Sequence, residues 1–134
     1  MAEYLYKHTG IFYTESGDRI KNLELSYHTY GELNAAKNNV VWVCHALTAN
    51  ADVLDWWSGL FGENDLFSPK EHFIICVNIP GSCYGSTGPL SGEKPLFDKF
   101  PKLTVRDIVN GLEILRNHLK IKNIIRHILQ QYVY

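Results

Sequence analysis

The sequence predicts an α/β fold, and three observations predict it. An alternating segment closed by a turn signal opens the chain. Two short, continuous apolar runs, VVWVC (40–44) and FIICV (73–77), follow with a crossover between them. A segment of helical period, 104–119, comes next. Strands and helices that alternate after an antiparallel start are the pattern of α/β domains.

Each element has a local reason. GIFYTES alternates and then meets Gly17-Asp18, a turn signal. LELSYHTYG sets Leu23, Leu25, Tyr27 and Thr29 on one face and Glu24, Ser26 and His28 on the other. The first forty residues therefore read as an antiparallel hairpin or meander, and 34–39 as a polar connection. VVWVC and FIICV do not alternate, which suits strands covered on both faces, as in a parallel sheet. Between them a loop from His45 leads to a short helix around 54–61, with Trp56 and Trp57 anchoring it on the sheet. That is a strand–crossover–strand unit.

In 104–119, Val105, Ile108, Val109, Leu112, Leu115 and Leu119 follow helical spacing along one face. Thr104 can cap the start and Asp107 complements the positive end, while Arg116, His118 and Lys120 suit the other. IKNII (121–125) then reads as a third parallel strand. Beyond it, Ile124, Ile125, Ile128, Leu129, Tyr132 and Val133 recur in pairs every four residues, which is helical spacing. The last residues thus read as helical and not as a further strand.

Composition excludes several functions. The chain has 134 residues and a net charge of −1. That length suits one domain with a real core. No basic stripe is present, so nucleic acid is not an expected partner. No apolar run reaches the roughly 18 residues of a membrane span. MAEYLYKHTG lacks the layout of a signal peptide, so the expected location is cytoplasmic. The three cysteines form no C-x-x-C pair. Cys44 and Cys76 lie inside apolar runs, where cysteine acts as a small hydrophobe, so neither a metal site nor a disulfide is expected.

Two loops carry candidate chemistry. Gly81-Ser82-Cys83-Tyr84-Gly85 follows a strand and has the G-x-nucleophile-x-G shape, with cysteine at its centre. A nucleophile elbow must feed a helix, however. YGSTGPLSGEKP supplies three more glycines and two prolines instead, so the loop reads as a glycine-rich lining of a ligand crevice. Its glycine spacing matches neither phosphate-binding fingerprint. The second loop, CHALTAN (44–50), leaves the first parallel strand through His45. In α/β-hydrolase folds this loop donates one backbone N–H to the oxyanion hole, here that of Leu47, with the His45 imidazole bracing the loop. Taken alone, a polar loop with a satisfied histidine reads equally well.

Together, VVWVCHALTANADV, FIICVNIPGSCYGSTGPLS and FPKLTVRDIVNGLEIL closely resemble, in order and spacing, the N-terminal part of the homoserine O-acetyltransferase family. His45-Ala46-Leu47-Thr48 matches its oxyanion loop. Asn78, Gly81, Cys83 and Gly85-Ser86-Thr87-Gly88-Pro89 match its glycine loop.

The resemblance implies an α/β-hydrolase fold and transfer of acetyl from acetyl-CoA, a co-substrate, to L-homoserine in methionine biosynthesis. No permanently bound cofactor is implied. It implies a homodimer, and a ping-pong route through a serine nucleophile on a G-x-S-x-G elbow, with a histidine base and an aspartate. It assigns the oxyanion amide to Leu47 and substrate-pocket loops to His45, Ala46, Thr48, Gly81, Cys83, Gly85, Ser86 and Thr87. The match ends at Ile125, so the resemblance makes residues 1–125 the N-terminal part of an α/β-hydrolase domain and 126–134 a tail that does not match the family. No elbow, triad aspartate or triad histidine is placed, and the fold is expected to be truncated before the elbow, with an exposed sheet edge and no activity. The rival readings are a hydrolase using Cys83 and a non-catalytic fragment that binds a partner chain.

Overall fold

The computed structural model describes residues 2–130. Seven strands and two α-helices are laid out in it: β1 (Ala2–Lys7), β2 (Ile11–Tyr13), β3 (Arg19–Lys21), β4 (Glu24–Tyr30), β5 (Val40–Cys44), α1 (Val53–Trp56), β6 (Phe73–Val77), α2 (Val105–His118) and β7 (Arg126–Leu129). A mixed five-stranded sheet has the order β1-β4-β6-β5-β7, and β2 and β3 form a separate ribbon. β1 and β4 pair antiparallel, as do β4 and β6, whereas β5 runs parallel to both β6 and β7.

Both faces of the sheet are covered, which is why the central strands do not alternate. Leu25 and Tyr27 of β4, Val40 and Trp42 of β5, and Ile75 and Val77 of β6 face Leu115 of α2 and the ribbon residues Phe12 and Ile20. The intervening residues, Val41, Val43, Ile74 and Cys76, face Ala51, Val53, Phe61 and Phe67. Period-two alternation thus survives as a choice between two cores. Trp56 and Trp57 stack at 5.4 Å against the second core, Trp56 ending α1 and Trp57 capping it, and this helix is one turn, shorter than the expected 54–61.

Helix α2 begins as expected. The Thr104 side chain accepts from the Asp107 amide at 3.1 Å, and the Asp107 carboxylate accepts from the Thr104 amide at 2.9 Å, a reciprocal cap. The other Asp107 oxygen takes the Glu15 amide at 2.9 Å, so the cap also pins the ribbon turn. The buried line differs from the expected face: it is Asp107, Gly111 and Leu115, whereas Val105 and Val109 are 77% and 49% exposed. A buried carboxylate displaced the apolar stripe because its hydrogen bonds to Thr104 and Glu15, not hydropathy, set the rotation of the first turn.

The end of the described chain corrects two expectations. Residues 121–125 form no strand: Lys120 turns the chain with φ 57°, Ile121 plugs the first core, and Ile125 donates to the Val40 carbonyl at 3.0 Å. The third parallel strand is β7, in register Val41↔Arg126 to Cys44↔Leu129. Residues 126–130 therefore belong to the sheet and do not form a separate helical tail. Pairs of apolar residues every four positions fit a short strand as well as a helix, and the free edge of β5 decided between them. Tyr132 and Val133 lie outside the described residues. Strands β1 and β7 each have one neighbour among the described residues.

Candidate active site

The candidate residues gather at the carboxyl ends of β5 and β6, where parallel sheets place their ligand crevices. β5 ends at Cys44, and the chain turns at once through His45 and Ala46, both buried. The Ala49 amide donates to the Ala46 carbonyl at 3.0 Å, which makes Leu47 and Thr48 the centre of a tight turn. The Leu47 side chain is 77% exposed, and its amide has no hydrogen-bond partner among the described residues.

His45 holds this turn against the next loop. Its Nε2 accepts the Ile79 amide at 3.0 Å, so the ring proton sits on Nδ1, which lies 2.7 Å from the Ala46 carbonyl. Burial pushes the His45 pKa below its ordinary value, and the bond to the Ala46 carbonyl opposes that only in part. The ring is therefore a neutral strut between the loops that follow β5 and β6.

Asn78 is the second tie. Its Oδ1 accepts the Ala51 amide at 2.9 Å, its Nδ2 donates to Ser26 Oγ at 3.2 Å, and its own amide donates to the Ser26 carbonyl at 2.8 Å. One buried carboxamide thus joins β4 to Ala51, in the segment between β5 and α1. The Ser86 hydroxyl donates to the Asn78 carbonyl and accepts the Ser26 amide at 2.9 Å. Thr87 exchanges bonds with Glu24, through its hydroxyl at 2.8 Å and its amide at 2.9 Å. Ser26, read from the sequence as part of a polar face, is buried under this loop. Nothing near Ser26 in sequence signals a partner sixty residues away.

The glycines of the loop follow from that closeness. A Cβ on Gly85 would lie 2.6 Å from the Ser26 Cβ, and one on Gly88 would lie 2.6 Å from the Ser82 carbonyl oxygen. Gly85 also has φ 59°, a conformation that favours glycine. The Ser86 hydroxyl is bonded to the Ser26 amide and the Asn78 carbonyl, and the Thr87 hydroxyl to the Glu24 amide, so both side chains tie the loop to its neighbours.

Cys83 is exposed at the loop tip, with no hydrogen-bond partner among the described residues. No helix follows it before a single 3-10 turn at Phe97–Lys99. It therefore has neither an adjacent base nor an elbow. Burial raises the pKa of Cys44 and of Cys76, keeping both as neutral thiols. No group of residues able to hold a metal occurs among the described residues, and no described helix is long and apolar enough to cross a membrane.

The turn and the loop frame a hollow of about 310 Å³. His45, Leu47, Ile79 and Ser82 line one side, and Phe100 and Leu103 the other. No Asp, Glu, Lys or Arg lines it. Phe100 and Leu103 enter from the approach to α2, a contribution that spacing along the chain does not reveal.

The curated relatives that match are homoserine O-acetyltransferases, and the solved structures that match include both homoserine O-acetyltransferases and esterases. A homoserine O-acetyltransferase of Cyclobacterium marinum is 50% identical over 114 residues, 82% of this chain and 32% of that protein. The solved homoserine O-acetyltransferase from Staphylococcus aureus superposes with a TM-score of 0.81 at 31% identity, over 97% of this chain and 39% of that one. Esterase E22 superposes with a TM-score of 0.85 at 26% identity, over 97% and 40% of the two chains. No protein-family model matches the chain. The chain spans about a third of the length of the curated relatives it matches. By sequence identity, strand order and the loops at the carboxyl ends of β5 and β6, the chain belongs to the homoserine O-acetyltransferase family and carries the N-terminal part of its α/β-hydrolase fold.

Proposed function

We propose that these residues form the oxyanion-binding share of an active site that moves acetyl from acetyl-CoA to the hydroxyl of L-homoserine. The observation that carries the reading is the unpartnered Leu47 amide, at a turn held by His45 and Asn78. When a nucleophile adds to the thioester carbonyl, the carbonyl oxygen gains negative charge. A fixed N–H aimed at that oxygen favours the transition state over the ground state. Collapse expels the CoA thiolate, which takes up a proton, and leaves an acyl-enzyme. The homoserine hydroxyl then adds to the acyl carbon and gives up its proton, and the same amide holds the second oxyanion until O-acetylhomoserine leaves.

The family's nucleophile is a serine on a G-x-S-x-G turn. This sequence has no glycine after Gly111 and no serine after Ser91. The reading therefore gives these residues the oxyanion turn and pocket loops, and gives the nucleophile, base and orienting aspartate to the remainder of a full-length protein. It makes that protein a cytoplasmic homodimer of methionine biosynthesis.

The test is CoA release from acetyl-CoA by the full-length protein, with and without L-homoserine. Release that depends on homoserine and yields O-acetylhomoserine supports the reading. The second reading is an esterase, favoured by the fold match to esterase E22. Hydrolysis of acetyl esters that ignores homoserine would establish it instead.

A further inference from the structure

We propose that a cationic hollow behind the glycine loop, lined by Arg19, Lys21 and Lys94, binds the phosphates of a nucleotide-bearing acyl thioester. The inference rests on the acyltransferase reading, whose donor belongs to that chemical class. The hollow measures about 390 Å³. Arg19 and Lys21 flank Ile20 on β3, and Ile20 is buried, so strand alternation turns both cations away from the core on one face. Lys94 reaches the same hollow from the loop beyond Gly92. None of the three cations forms an ion pair among the described residues. Glu24 also lines the hollow, and its carboxylate lies 3.8 Å from Lys7.

Position and continuity single this hollow out. β4 runs antiparallel to β6 with Tyr27 opposite Val77, so the ribbon that precedes Glu24 lies at the carboxyl ends of the parallel strands. Phe100 and Pro101 line both the cationic hollow and the apolar hollow beside Leu47. An acyl-CoA has matching halves: an uncharged arm that ends in the thioester, and a phosphorylated nucleotide with several negative charges. The apolar hollow suits the arm and the oxyanion turn its carbonyl. The cations suit the phosphates, for which Arg offers a planar fork and Lys a point charge. A zwitterionic amino acid finds no charge partner in the apolar hollow.

The experiment compares the full-length protein with its Arg19→Gln/Lys21→Gln/Lys94→Gln variant, in which three exposed side chains lose charge without loss of core packing. Calorimetric titration uses adenosine 3′,5′-bisphosphate, with adenosine as the phosphate-free control. The parent binds the bisphosphate, and the variant binds it about tenfold more weakly or worse, as expected for three exposed charge contacts. Added salt narrows the difference. In kinetics, the variant raises KM for acetyl-CoA by a similar factor, while kcat and the KM for S-acetyl-pantetheine, which lacks phosphates, hold. No bisphosphate binding by the parent, equal binding by both proteins, or equal losses on both thioesters overturns the site. A parent that turns over neither thioester overturns the acyltransferase reading instead, and the titration still decides the site.

Discussion

The Ile79 amide donates to Nε2 of His45 at 3.0 Å, and that bond joins the loop after β6 to the loop after β5. It requires an unprotonated Nε2. The strut therefore works only while the imidazole is neutral, which burial favours.

Acid should release it. The folded pKa of His45 lies below its ordinary value near 6.5. Below about pH 6.5 the unfolded chain binds a proton at this position that the folded chain does not, so stability falls as pH falls through that range. In His45→Ala this component of the pH dependence disappears, and stability at pH 8 drops by about 1–3 kcal/mol because the Ile79 amide loses its partner. In the full-length protein kcat falls by about 10- to 100-fold with little change in KM, since a misplaced amide harms the transition state most. Melting curves from pH 5 to 8, and steady-state rates, check both.

Gly85 and Gly17 separate two costs of replacing glycine. Both have positive φ, 59° and 90°, but an added Cβ meets Ser26 at Gly85 and nothing within 4 Å at Gly17. Gly17→Ala should cost about 1–2 kcal/mol for the backbone conformation alone. Gly85→Ala should cost about 2–5 kcal/mol, because the clash adds to it. Denaturant midpoints of the two variants give the comparison, and equal losses would refute the tight contact with β4.

Cys83 is expected to be reactive but dispensable. Iodoacetamide should label it ahead of the buried Cys76 and the half-buried Cys44. Cys83→Ala should leave acetyl transfer within about twofold of the parent, as expected of an exposed residue with no base beside it. Loss of activity in that variant would restore the cysteine-hydrolase reading.

The cap of α2 reaches beyond the helix. Thr104→Ala should cost about 1 kcal/mol, the usual worth of such a cap. The amides of Thr104 and Glu15 hold the Asp107 carboxyl below its ordinary pKa, the Thr104 amide most strongly. Its contribution is thus present at neutral pH and lost as pH falls through the lowered folded value. Hydrogen exchange should show Asp107→Ala loosening both the first turn of α2 and the Glu15 turn, 92 residues apart. Protection lost at α2 alone would refute the cross-link.

Much of the site was legible along the chain because its signals are local. A histidine directly after an apolar run pointed to the turn after β5, and a glycine loop without a following helix argued against Cys83 as a nucleophile. The function of Ser26 was not legible. It alternates as a surface residue should, and only the return of the chain at Asn78 and Ser86 buries it. Val105 and Val109 show the reverse case: helical spacing assigned them to the core, but they lie exposed.

The sequence by itself determined the two-sided central strands, the Thr104 cap, the long helix that follows them, and the family. These depend on periodicity, on capping within four residues, and on loop spelling, all short-range properties. Tertiary structure alone decided that β7 runs over Arg126–Leu129, that Asp107 and not Val105 turns inward, and that Asn78 ties β4 to Ala51 and the glycine loop. Those outcomes depend on partners tens of residues away: the open edge of β5, the Glu15 amide and the backbone of β4. A pattern along the chain cannot show which distant hydrogen-bonding groups will need satisfying once the core closes.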